Sequence, residues 1–144
     1  MKILWRKLIA CHDKQVIKSN NAPSPIGPYS IATGGGPFIF TAGQIGIDPA
    51  TGELVDGGIE AQSRQVFRNL EAILKASNSC LCNAMKTTVY LRDMADFAKM
   101  NAVYAEFFTD NFPARTTVAV VGLPKNALVE IEMISMLCRE DCCH

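Results

Sequence analysis

Residues Phe112–Glu132 read FPARTTVAVVGLPKNALVEIE. Arg115 stands at the start of a β-rich run, Thr116–Val121. The turn-forming residues Gly122-Leu123-Pro124-Lys125-Asn126 follow, and then a second run, Ala127–Leu137. This second run alternates, with Val129, Ile131 and Met133 set against Glu130 and Glu132, as in a strand with one buried face. Two such strands are expected to lie side by side and to hold Arg115 and Glu130 at one pocket. A guanidinium grips a planar carboxylate with two parallel hydrogen bonds. A glutamate nearby can orient or deprotonate a water. The pair points to hydrolysis of a small carboxylic acid.

Upstream, the period changes twice. Met85–Leu91 is β-branched and reads as a strand. Ile59–Ser77 has helical spacing, with Val66, Leu70, Ile73 and Leu74 on one stripe and Asp56-Gly57-Gly58 as its start. A second helix is expected after Asp93 or Asp96, its apolar face made by Phe97, Met100, Tyr104, Phe107 and Phe108 and its end at Asn111. Nearer the N-terminus, Gln15–Ser19 reads as a short strand. The proline-rich loop Asn20–Tyr29 follows, then a hairpin turn at 34–37 and a buried strand at Phe38–Ala42. Asp48-Pro49-Ala50-Thr51-Gly52 is a turn. Strands, helix, strand, helix, strands describe an α+β sheet with two helices packed on one face.

The chain has 144 residues, 49% of them hydrophobic, which suits one domain with its own core. Fourteen basic residues balance 14 acidic ones, so there is no general basic footprint for nucleic acid. No segment approaches the ~20 apolar residues of a membrane span. Leu8-Ile9-Ala10-Cys11 has the look of a lipoprotein cleavage site, but Arg6 and Lys7 interrupt the apolar run that a signal segment requires. Residues 1–14 therefore read as an N-terminal extension, 15–138 as the single domain and 139–144 as a cysteine-rich tail. The six cysteines are unevenly placed and read as mostly free thiols in a reducing cytoplasm. Cys138, Cys142, Cys143 and His144 invite a zinc reading, but a chain end is a poor frame for a rigid tetrahedral site. His12 and His144 lie outside the patterned region, which argues against a histidine base.

Several collinear segments, spanning about Val16 to Leu137, resemble the reactive intermediate deaminase (Rid, YjgF) family. They include Ile26-Gly27-Pro28-Tyr29-Ser30, Thr41-Ala42-Gly43-Gln44-Ile45, Lys86-Thr87-Thr88-Val89, Asp96-Phe97 with Asn101 and Tyr104, Phe112-Pro113-Ala114-Arg115, Leu123-Pro124-Lys125 and Glu130-Ile131-Glu132. The resemblance implies a chorismate-mutase-like mixed sheet assembled as a homotrimer, with active sites in clefts between subunits. It implies hydrolysis of 2-imino acids or their enamines to 2-keto acids and ammonia, without cofactor or metal.

By match to the family motif, Arg115 binds the carboxylate and Glu130 positions the water. Tyr29, Gly43, Asn101 and Thr117 complete the substrate site. Phe97 and Tyr104 read as core or interface. Thr117 stands where many members have cysteine, and Ala42 where serine is frequent. Members of the family have also been called translation inhibitors and ribonucleases, so a regulator acting through RNA or protein is the alternative. Without the resemblance, Arg115 reads more readily as a surface charge, and Glu130 as a solvated strand residue or ion-pair partner.

Overall fold

The computed structural model describes residues 14–138. The expected extension up to residue 13, including the lipoprotein-like segment, and the tail 139–144 lie outside the described residues.

The α+β arrangement expected from the sequence is the one the chain adopts. Nine elements follow one another: β1 (Gln15–Ile17), β2 (Ala32–Gly35), β3 (Phe38–Thr41), β4 (Gln44–Ile45), α1 (Gly58–Ala76), β5 (Ala84–Leu91), α2 (Phe97–Phe107), β6 (Ala114–Ala119) and β7 (Val129–Met136). The strands form one mixed sheet in the order β1-β2-β3-β7-β5-β6, with β4 also paired to β7. Only β5 and β6 run parallel, and α2 is the crossover between them.

This order corrects one expectation. β6 and β7 are consecutive in the chain but are not neighbours. β5 lies between them, parallel to β6 and antiparallel to β7. The turn between them takes positive φ at Lys125 and Asn126, as a turn should. The crossover through α2, however, seats β6 beside β5. Two short strands, β2 and β4, were not read from the sequence. β2 is Ala-Thr-Gly-Gly and β4 has only two residues, so neither carries a recognisable period.

The helices cover one face of the sheet. Val66, Phe67, Leu70, Ile73 and Leu74 of α1 are fully buried against Val89, Leu91, Val129, Ile131 and Met133 of the sheet and Met100 and Val103 of α2. Each such side chain contributes about 1.5–3 kcal/mol on leaving water. Phe67, absent from the expected stripe, is the hub of an aromatic cluster. It stacks on Phe107 at 4.6 Å and meets Tyr104 and Phe108 edge-on. α1 starts after Gly57, whose φ of 110° excludes most other residues. α2 stops at Phe107 rather than Asn111. Before it, the Asp93 side chain accepts from the Ala95 amide and caps a short 3-10 turn.

The cysteine expectation is also corrected. Cys80 is extended and a 3-10 turn begins at Leu81, which brings the Cys80 and Cys82 Cα atoms to 5.3 Å, and the two are joined as a disulfide. Cys138 Sγ lies 3.8 Å from Cys80 Sγ. Among the described residues no cluster of three or more His, Cys, Asp or Glu is arranged to hold a metal, and no helix is long and apolar enough to cross a membrane.

Candidate functional site

The pairing of β3 and β4 with β7 contains an irregularity. Phe40 pairs with Ile134 and Gln44 with Ile131, so four steps on one strand face three on the other. The extra residue is accommodated around Thr41–Gly43, as in a β-bulge. The Thr41 hydroxyl accepts from the Met133 amide at 2.9 Å, supplying a bond that the ladder lacks there.

Gly43 sits in this irregularity against Glu130. A Cβ at position 43 would overlap the Glu130 carboxyl group, 2.7 Å from its Cδ. Only a residue without a side chain lets the carboxylate lie there.

A cavity of about 310 Å³ opens beside this contact. Gly43 and Glu130 form one wall together with Tyr29 from the proline-rich loop. Ile31, Ala42, Ile45, Ile47 and Pro124 make the remainder largely apolar. The Tyr29 ring is half exposed, and its hydroxyl accepts from the Ile26 amide at 3.2 Å, which ties the loop back on itself. Glu130 is held above the ordinary carboxylate range, first because burial disfavours its charge and second because Glu132 repels it. Glu132 in turn accepts from the Tyr90 hydroxyl at 3.2 Å. A carboxylate raised in this way is suited to exchanging protons with a bound water.

Arg115 and Asn101 are elsewhere. Arg115 pairs in register with Thr87 on β5, on the helix-covered face. Its Nη1 donates to Asn101 Oδ1 at 2.8 Å, and its guanidinium lies 4.5 Å from the Tyr104 ring centre and 5.7 Å from that of Phe97. Thr117 follows two residues later on the same face. Its hydroxyl is buried and has no hydrogen-bond partner among the described residues. Glu130 pairs with Tyr90, three residues along β5 from Thr87, and so belongs to the opposite face.

The candidate residues therefore fall into two groups within one chain. Tyr29, Gly43 and Glu130 are together; Asn101, Arg115 and Thr117 are together; the two groups do not meet. This overturns the expectation that adjacent strands would bring Arg115 and Glu130 to one pocket within the chain. Three participants were missed from the sequence: the Phe97 and Tyr104 rings beside Arg115, and Glu132 as the charge acting on Glu130. The first two carried a legible signal, since 97, 101 and 104 share one helical face.

The family model described as Endoribonuclease L-PSP matches residues 19–137. The chain belongs to this family, that of YjgF and RidA. A RutC family protein of Pyrococcus horikoshii is 57% identical over 122 residues, covering 85% of this chain and 97% of that protein. The human 2-iminobutanoate/2-iminopropanoate deaminase is 42% identical over 123 residues, covering 85% of this chain and 90% of that protein. The crystal structure of the YjgF gene product of E. coli, 42% identical, superposes with a TM-score of 0.81 over 85% of this chain and 98% of that one. This RidA-family chain thus shares its mixed sheet with two helices with YjgF itself.

Proposed function

We propose that this protein hydrolyses 2-imino acids, such as 2-iminobutanoate and 2-iminopropanoate, to 2-keto acids and ammonia. The site is shared between two copies of the chain in a homotrimer. The observation that carries this reading is the separation of the half-sites. Arg115 with Asn101 and Thr117 faces one way, and Glu130 with Tyr29 and Gly43 the other. A neighbouring copy can therefore complete each half with the missing one. The likeness to the human deaminase supports the choice of substrate. Support for assembly comes from the sheet face opposite the helices, where Phe38, Phe40 and Val118 remain exposed.

In this reading Arg115 holds the substrate carboxylate by its guanidinium edge. The imine carbon then lies against a water bound to Glu130 and Tyr29. The water oxygen adds to the protonated imine carbon while Glu130 takes a proton from it. Glu130 returns that proton to the nitrogen of the tetrahedral intermediate. The carbon–nitrogen bond breaks as Glu130 takes the remaining hydroxyl proton, leaving a keto acid, and the departing ammonia carries that proton away as ammonium.

Positioning of this kind supplies as much as about 7–11 kcal/mol in favourable cases. Proton transfer adds about 10²–10⁴-fold. The reaction needs no metal or cofactor, because a protonated imine is already electrophilic. The apolar cavity wall suits a short aliphatic side chain on the substrate. Balanced charge argues against the alternative, a regulator that binds RNA through a basic surface.

The test is a coupled assay in which threonine dehydratase makes 2-iminobutanoate from threonine and semicarbazide traps what remains. The protein should lower the trapped imine, and Arg115→Ala should not. Unchanged trapping with the wild-type chain would refute the reading, and cleavage of RNA in its place would favour the alternative.

A further inference from the structure

Phe97, Asn101 and Tyr104 occupy positions i, i+4 and i+7 of α2, and all three meet Arg115. Tyr104 is firmly placed. It is 5% exposed, its hydroxyl lies 2.8 Å from Thr87 Oγ1, and its ring is edge-on to Phe67 at 5.5 Å and tilted against Phe108 at 4.7 Å. Thr87 is also the register partner of Arg115 across the β5–β6 pair. The frame is therefore closed: Arg115 to Thr87 through the sheet, Thr87 to Tyr104 through the hydroxyls, and Tyr104 back to Arg115 through its ring.

We propose that Phe97 and Tyr104 are positioning residues that hold the Arg115 guanidinium for a planar, monoanionic carboxylate. This inference rests on Arg115 being the substrate's anchor. Aromatic faces attract a cation without neutralising it. Among the described residues no Asp or Glu forms an ion pair with Arg115, so its charge is not spent within the chain. Asn101 takes one Nη1 hydrogen and leaves the other side of the fork for ligand. An arginine on a free stem would have to be ordered by each substrate molecule. Here the rings and the amide order it beforehand, which favours a two-pronged acceptor over a neutral group of the same shape.

The proposal predicts a loss of discrimination. The probe is 2-oxobutanoate, with 2-oxobutanamide as its neutral counterpart, and the readout is the ratio of the two Kd values by calorimetry. The wild-type chain should prefer the acid. Phe97→Leu and Tyr104→Leu should each reduce that preference about 10-fold, the scale of one partly desolvated cation–ring contact. Tyr104→Phe, which keeps the ring, should stay within about 3-fold of wild type. Phe97 is partly exposed, so Phe97→Leu tests the idea even where Tyr104→Leu fails to fold.

Arg115→Ala runs alongside. If it keeps the preference for the acid, the anchor assignment fails and this inference with it. If Arg115→Ala loses the preference while folded Phe97→Leu keeps it in full, the positioning role alone is refuted. Equal damage from Tyr104→Phe and Tyr104→Leu would also refute the role of the ring.

Discussion

Arg115 and Glu130 lie on opposite faces of one sheet, with β5 between their strands. Thr87 pairs with Arg115 and Tyr90 with Glu130, and these two residues are an odd number of positions apart. Successive side chains of a strand point to opposite faces, so no bending of side chains brings the two groups together in one chain. The proposed reaction needs both, and this requirement shapes the first prediction.

Arg115→Ala and Glu130→Ala should each lower kcat/KM by at least about 100-fold, the scale of losing a charge-assisted fork or a positioned proton acceptor. Arg115→Lys should fail nearly as badly, because an ammonium cannot reproduce the fork. Co-refolding the two alanine variants should then restore activity, since mixed assemblies contain some interfaces with an intact Arg115 facing an intact Glu130. Mixtures as inactive as their components would exclude a site shared between copies.

Gly43→Ala should fold normally and lose activity. The position has no positive φ, so alanine is tolerated by the backbone, but its methyl group takes the space of the Glu130 carboxyl. The expected result is a thermal midpoint within a few degrees of wild type with kcat reduced about 10- to 100-fold, the scale of a catalytic group moved out of position. Full activity in a folded Gly43→Ala chain would remove the close packing of Gly43 and Glu130 from the mechanism.

The pH dependence follows from Glu130. Its folded pKa is raised above the ordinary 4.5, by burial first and Glu132 second. A raised acid binds its proton more tightly in the folded than in the unfolded chain. The stability it contributes is fully present below the ordinary value and is lost as pH rises through the folded value. Glu130→Gln should therefore be more heat-stable than wild type at neutral pH, and this advantage should shrink in acid. Glu132→Gln removes one of the two causes, so the acid limb of the kcat/KM profile should move to lower pH. A limb that stays in place would mean that Glu132 does not act on the working group.

Thr41→Val should cost about 1–3 kcal/mol, because it keeps the shape but leaves the buried Met133 amide without its acceptor. Thr41→Ser should recover much of this. Urea midpoints at constant slope are the appropriate measurement, and equal stability of Val and Ser variants would argue that the bulge is held by packing alone.

Elements whose residues repeat a local period were legible in the chain before any contact between them was known. The α1 stripe of Val66, Leu70, Ile73 and Leu74, the β-branched run of β5 and the alternation of β7 each bury one face fully and leave the other less buried, a contrast set by the local period. The paired motifs around Arg115 and Glu130 likewise marked both candidate groups. Which strands touch was decided only in three dimensions. β6 and β7 follow one another across a short turn, yet the α2 crossover seats β6 beside β5 and leaves β5 between them. Strand order depends on which apolar faces the helices can cover at once, a property of the whole core rather than of any window of residues. The same holds for Tyr104. Its spacing from Asn101 was visible in the chain, but that its ring lies against Arg115 while its hydroxyl reaches Thr87 required α2 to pack across β5 and β6.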